Sequence, residues 1–214
     1  MRPIRTDIDL ATVDINGIFE AQQLVGAGDV VLDGTEISGG VWTSPDGFAK
    51  QIAIACAGDI NTVVFTITGF REANSKVPIT DTITGVNANA VESTEYFYSI
   101  TSIAADAAVG TDIYGGAVDE AITRTIPLNW RGAECGVNVF VTGTINYTVQ
   151  QTVSDIGSLT NYDYNWQDCD DTALVAATAT ANTSYVSVPI ALRLKVNSYS
   201  TGAELAFDII QRDI

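Results

Sequence analysis

The sequence predicts an all-β protein, built as two tandem antiparallel β-sandwich or jelly-roll-like domains behind an N-terminal arm. Short segments rich in Val, Ile and Thr recur along the chain, separated by turn residues at intervals of about 8–12 residues. Within them, apolar and polar residues alternate with the two-residue period of a half-buried strand. No long window shows the 3.6-residue period of an amphipathic helix. Many short strands of this kind are typical of sandwiches and jelly rolls.

The first 25 residues carry the weakest pattern. Their apolar side chains have no clear period and are Ile8, Leu10, Val13, Ile15, Ile18 and Phe19. Neither a strand nor a helix is favoured by such spacing alone. We therefore interpret residues 1–25 as an N-terminal arm that docks on a neighbour or as an edge strand of the fold.

The first domain is predicted over residues 26–118. In Val63–Thr68, Phe65 and Ile67 occupy one face while two threonines occupy the other, as expected of a strand with one buried face. Further strands are predicted at Gln51–Ala55, Val77–Thr84, Tyr96–Ile103 and Asp112–Tyr114, with Tyr96, Tyr98 and Ile100 sharing a face. Two consecutive glycines at 115–116 indicate the domain boundary.

The second domain is predicted over residues 119–214. In the strand Thr144–Val153, the side chains of Ile145, Tyr147 and Val149 are predicted to face the core. Near the C-terminus, the alternating segments Ile190–Val196 and 205–209 flank the turn sequence Ser-Thr-Gly. This arrangement predicts a β-hairpin.

The charge balance disfavours nucleic acid and anionic membranes as partners. The chain has 26 acidic and 10 basic residues, a formal net charge of −16, and no basic run beyond Arg2 and Arg5. Phosphate groups repel such a surface. The longest apolar run, Ile52–Ala57, is too short to span a bilayer, and the N-terminus lacks the pattern of a secretory signal. Solubility is the simplest explanation of this charge, and adaptation to a salty medium or to a cationic partner surface are the alternatives.

The residue types needed for most catalytic sites are missing, so the chain is predicted not to be an enzyme and to carry no cofactor. It has no histidine, which removes Ser-His-Asp and Cys-His catalysis and histidine-bound metals. It has no phosphate-binding glycine motif and no nucleophile-elbow motif. The three cysteines show no metal or redox spacing, and we expect free, buried thiols.

One dense polar segment, residues 161–171, allows three interpretations. Paired carboxylates could perform glycosidase chemistry. A hard-oxygen site for Ca²⁺ would use Asp163, Asp168, Asp170 and Asp171, although their spacing departs from the EF-hand pattern. The favoured interpretation is an acidic, aromatic-rich surface loop, within which three aromatic side chains could anchor a subunit contact. These interface residues are Tyr162, Tyr164 and Trp166.

Several short sequence segments resemble segments found in virion proteins of tailed bacteriophages. They are Phe65–Gly69, Ile79–Gly85, Tyr96–Ile103, Gly136–Gln150 and Ala191–Leu194 with the turn at 200–202. The resemblance implies a non-enzymatic structural protein, most specifically a capsid decoration (cement) protein on the outer surface of the virion, assembled in the host cytoplasm. It implies a homo-oligomer, with a trimer favoured, and the major capsid protein or other virion proteins as partners.

Two alternatives accompany this expectation. Small β proteins of such particles also serve as tail, head–tail connector or fibre-attachment components, which differ from decoration proteins in copy number. A carbohydrate-binding module, with its site in the loop around Trp166, belongs to a different functional class.

Overall fold

The computed structural model describes residues 2–129, 134–156 and 164–211. The protein is all-β, with 56% of its residues in strands arranged in several antiparallel sheets and no α-helix in the described ranges. The predicted fold class is confirmed at this level. Within the same ranges, no helix is long and apolar enough to cross a membrane.

In the described parts of the chain, the strands are interrupted by one 3₁₀ turn. In chain order they are β1 Arg2–Asp9, β2 Phe19–Leu24, β3 Gly28–Asp29, β4 Ile37–Ser38, β5 Val41–Thr43, β6 Ala49–Cys56, β7 Val64–Phe70, β8 Ile79–Thr84, β9 Ala90–Glu92, β10 Ser99–Ala105, β11 Val109–Ile122, β12 Ile126–Pro127, β13 Cys135–Thr142, β14 Ile145–Thr152, β15 Gln167–Asp168, the 3₁₀ turn Thr172–Leu174, β16 Ala181–Tyr185, β17 Ala191–Tyr199 and β18 Glu204–Gln211.

The chain folds into two compact units. The central unit is Val13–Ala121, and the terminal unit combines Met1–Thr12 with Ile122–Ile214. The first 25 residues are therefore divided between the units, and residues 2–9 form an edge strand. Whether 26–118 and 119–214 fold as independent domains behind a 1–25 arm stays a prediction.

In the central unit, one sheet has the strand order β4-β5-β10-β7-β8, and β3 also pairs with β10. A second group has the order β11-β6-β9, with β2 pairing with β11. The core takes side chains from both groups, including Trp42, Phe65, Phe97, Ile52 and Ile54. Burial of each large apolar side chain contributes about 1.5–3 kcal/mol, so this shared core holds the two layers together.

Two of the strand faces predicted from the sequence can be compared with the residues buried in this core. Phe65 and Ile67 are fully buried on one face of β7, as predicted. The predicted shared face of Tyr96, Tyr98 and Ile100 is wrong, because the buried residues are Phe97 and Ile100. Phe97 forms an isolated bridge with Lys50 before β10 begins, so the alternation changes phase there.

In the terminal unit, one sheet has the order β1-β18-β13-β16, which places β1 at its edge. The other has the order β15-β14-β17, and β12 pairs with β17. Ile145, Tyr147 and Val149 on β14 are buried, which confirms the predicted inward face. The inward face of β18 is likewise apolar and buried.

The predicted C-terminal hairpin is wrong. β17 pairs with β14 and β12, whereas β18 pairs with β1 and β13, so the two strands belong to different sheets. The turn between them includes Gly202 at a φ of +78°, a conformation that favours glycine. The alternating pattern specifies the buried face of each strand but not the strand that pairs along its edge.

A buried ion pair in the central unit links β6 to the turn that precedes it. Lys50 Nζ is 2.7 Å from Asp46 Oδ2, and the two side chains are only 2% and 1% exposed. Asp46 Oδ1 also accepts hydrogen bonds from Ser44 Oγ and from the Phe48 backbone N–H. Removing one member of such a pair leaves an uncompensated buried charge, which is far more costly than losing an exposed pair.

We predict that Lys50→Ala lowers the free energy of unfolding of the central unit by about 3–5 kcal/mol. The exposed Lys76, changed in the same way, should shift it by less than about 0.5 kcal/mol. Urea titration followed by Trp42 fluorescence, with Trp130 and Trp166 both replaced by Phe, measures the two effects. Equal effects of the two substitutions would contradict a structural role for the pair.

Candidate functional site

The segment singled out by its aromatic residues lies beside the outer face of the β15-β14-β17 sheet. The strand register places Gln150 of β14 directly between Asp168 of β15 and Arg193 of β17. Val149 and Leu194, on the opposite face, are buried. The alternation that fills the core thus places three polar side chains in one row on the outside.

Hydrogen bonds join this row. Arg193 Nε donates to Gln150 Oε1 at 2.8 Å, and Gln150 Nε2 donates to Asp168 Oδ1 at 3.0 Å. The guanidinium carbon of Arg193 lies 4.4 Å from the centroid of the Trp166 ring. That distance is within the range of a cation–π contact. These contacts within the protein therefore hold the side chains of the row relative to one another.

Tyr164 lies next to Trp166 and adds a second aromatic ring to this group of side chains. Its ring centroid is 6.3 Å from that of Trp166 at an interplanar angle of 74°, an edge-to-face arrangement. Its hydroxyl donates to the Ile156 carbonyl at 3.3 Å. Tyr164 and Trp166 are both half-buried, so part of each ring stays accessible. We refer to Tyr164, Trp166, Arg193, Gln150 and Asp168 as the aromatic cluster.

The described acidic residues of segment 161–171 lie in different places and make different contacts. Asp168 belongs to the aromatic cluster, Asp170 is exposed, and the Asp171 side chain accepts from Ala173 N at the start of the 3₁₀ turn. Hydrogen bonds from the Thr183 side chain and the Ala173 backbone N–H lower the pKa of Asp171. In the described parts of the chain, no three His, Cys, Asp or Glu side chains converge as metal ligands. The Ca²⁺ alternative, which needs Asp163, stays an untested hypothesis.

The structure brings together two of the three predicted interface residues, Tyr164 and Trp166. Tyr162 and Asp163 lie outside the described residues, as does Trp130. Sequence reasoning missed Gln150 and Arg193 as members of the cluster. The alternation of β17 indicated that Arg193 faces outward, but only the register of three strands shows that it meets Trp166.

Beyond this cluster, the terminal unit exposes large apolar side chains. Val186 is 83% exposed and Phe140 is 48% exposed, and Val153 and Ile210 are also accessible. Phe140 and Ile210 lie on the outer face of the β1-β18-β13-β16 sheet. Exposed apolar side chains that are scattered singly are normal on a protein surface, so these residues do not by themselves indicate an interface.

The three cysteines are free and buried, as predicted. Burial raises the pKa of the Cys135 thiol to about 11 and also raises the pKa of Cys169. A thiol is a nucleophile only as the thiolate, so these two thiols are unsuited to covalent chemistry at neutral pH.

A scan against protein-family models found no match, and a search of curated proteins found no similar protein.

We predict that alkaline pH destabilises the terminal unit through Cys135. An unfolded thiol ionises from about pH 8.5, whereas folded Cys135 stays protonated until about pH 11. The unfolded state therefore binds fewer protons in this window, and the free energy of unfolding falls as pH rises, by roughly 2–3 kcal/mol. Urea titrations at pH 7, 9 and 11 should show a shallower decline for Cys135→Ala. Identical slopes for the variant and the parent would refute the assignment.

Proposed function

We propose that this protein is a non-enzymatic virion structural protein, most specifically a capsid decoration (cement) protein of a tailed bacteriophage. In this proposal it consists of two tandem β-sandwich domains that act through repeated protein–protein contacts. The observation that carries the proposal is the aromatic cluster, in which Trp166, Tyr164 and Arg193 lie together on an outer sheet face.

The composition of the cluster is that of a protein-binding surface. Trp, Tyr and Arg are the residues most enriched among those that dominate binding energy at interfaces. Here the Arg193–Gln150 and Gln150–Asp168 hydrogen bonds already restrict side-chain rotation. A partner then binds side chains that have less conformational entropy to lose, which favours affinity at a modest contact area.

Charge supports a position on the outside of the particle. With a net charge of −16, the chain is repelled by packaged nucleic acid and attracted to cationic protein surfaces. A homo-oligomer, with a trimer favoured, would repeat each contact by symmetry, so that contacts of modest strength together stabilise the shell. The proposed partner is the major capsid protein or another virion protein.

A tail, connector or fibre-attachment role is the alternative within the same class, and it differs in copy number. A different class, a carbohydrate-binding module, is favoured by one observation: an aromatic ring contacts Arg193, which belongs to the hydrogen-bonded row that also holds the amide of Gln150 and the carboxylate of Asp168. Arg193 covers one face of the Trp166 ring, which leaves at most the other face for a sugar. A glycan array that shows no binding at millimolar sugar would eliminate this alternative.

We predict that purified particles contain about one copy of this protein per capsid subunit, or one trimer per local threefold axis. Quantitative mass spectrometry, scaled to the major capsid protein, measures the ratio. A dozen or fewer copies would favour the tail or connector alternative. Absence from particles would refute the virion proposal.

We also predict that Trp166→Ala weakens binding to particles stripped of this protein by about tenfold or more, as expected for an aromatic residue at the centre of an interface. Val186→Ala is the matched control, since it removes an exposed apolar side chain of the same unit outside the cluster. Its affinity should stay within about twofold of the parent. Equal affinities of both variants would show that the aromatic cluster is not the contact surface.

A further inference from the structure

The outer face of the β1-β18-β13-β16 sheet contains an unusual arrangement of side chains at one end. The strand register aligns cross-strand rows of residues on this face, and three consecutive rows form this end. The rows are Arg5–Asp208–Asn138, Asp7–Ala206–Phe140 and Asp9–Glu204–Thr142. Because β1, β18 and β13 are neighbours, the side chains within a row lie next to one another.

The middle row borders a hollow that is open to solvent. Asp7 and Phe140 are two strand spacings apart, about 9–10 Å, and the position between them holds only the methyl group of Ala206. Phe140 is 48% exposed and forms one wall. The resulting groove has a volume of about 360 Å³ and is lined by these residues together with the third row. This volume is large enough to hold one long side chain.

The third row has an unfavourable charge arrangement. Asp9 and Glu204 are directly opposite on neighbouring strands, and like charges in this position destabilise a sheet. The first row differs, because Arg5 NH1 is 3.5 Å from Asp208 Oδ2 and Arg5 Nε is 2.7 Å from Asp7 Oδ1. The charge of Arg5 is thus engaged at the other end of the groove. The carboxylates of Asp9 and Glu204 lack a comparable cation among the described ion pairs.

The shape of the groove distinguishes between cations. Although three carboxylates line it, no three acidic side chains in the described ranges converge closely enough to hold a metal ion. A cation carried on an aliphatic stem fits better. Its methylene groups would cover Ala206 and contact the ring of Phe140, while its charge would relieve the repulsion between Asp9 and Glu204.

We propose that this groove binds a lysine or arginine side chain of a protein partner. The alkyl stem lies over Ala206 against Phe140, and the charged end lies between Asp9 and Glu204. The inference deepens the proposed function, on which it rests for the existence of a protein partner. A second copy of this chain is a poor source of the cation, because each copy carries a net charge of −16.

The first test measures binding of a capped pentapeptide with one central lysine between valines and threonines. The matched control peptide has norleucine in place of lysine, which keeps the stem and removes the charge. In NMR titrations of the full chain, we expect the lysine peptide to shift the Ala206 methyl and Phe140 ring signals with a millimolar Kd, weakened by added salt. The norleucine peptide should bind at least about threefold more weakly.

Two variants test separately how the hollow above Ala206 and the carboxylate of Glu204 contribute to peptide binding. Ala206→Leu fills the hollow on the outer face and should weaken the lysine peptide about tenfold. Glu204→Gln should weaken it about threefold to fivefold and, by removing the cross-strand repulsion, raise the thermal midpoint of the free protein by up to about 4 °C. Glu134→Gln removes an exposed carboxylate of the same unit outside the groove and should change neither quantity.

Equal binding of the two peptides, or equal effects of Glu204→Gln and Glu134→Gln, would overturn the proposal. Signal shifts caused by Ca²⁺ alone at millimolar concentration, with none caused by the lysine peptide, would replace it with a metal site. This result can be distinguished from the test of the virion proposal. If the protein is absent from particles but binds the lysine peptide, the proposed function is refuted and the groove assignment stands. If it is present in particles but does not bind the peptide, the groove assignment is refuted and the proposed function stands.

Discussion

Both units depend on one constraint, which is that their long strands must bury an apolar face in a core. Phe65 and Ile67 on β7, and Tyr147 and Val149 on β14, are buried while their neighbours along the strand are not, or are covered only by a loop. Each buried side chain contributes about 1.5–3 kcal/mol, and together these gains offset the backbone entropy lost on folding. Because the inner faces carry the stability, the residues on the outer faces can differ without loss of the fold.

The features that suggest function lie on these outer faces. The aromatic cluster is built on the outer side of β14 and β17, whose inner residues Val149 and Leu194 are buried. The groove is built in the same way on the outer side of β18, whose inner residues Leu205 and Phe207 are buried. A rigid sheet therefore positions each set of side chains, which is the arrangement that gives precise binding surfaces.

The sequence predicted which face of a strand is buried, but it did not predict which strands pair with one another. The two-residue period identified the buried faces of β7 and β14 because it is a local property of each strand. It could not identify the partner of β18, and the predicted hairpin with β17 was wrong for that reason. It also gave no sign that Lys50 is buried, since a charged residue becomes stable in a core only when a partner such as Asp46 is close.

The same limit explains why the groove had no sequence signature. Asp9 and Glu204 lie near opposite ends of the chain, and only the register of β1 against β18 places them side by side. A sheet optimised for stability alone would pair one of these carboxylates with a cation, as Arg5 and Asp208 are paired at the other end of the same face. In the proposed binding mode, a basic side chain of a partner would supply the cation and relieve the repulsion between Asp9 and Glu204.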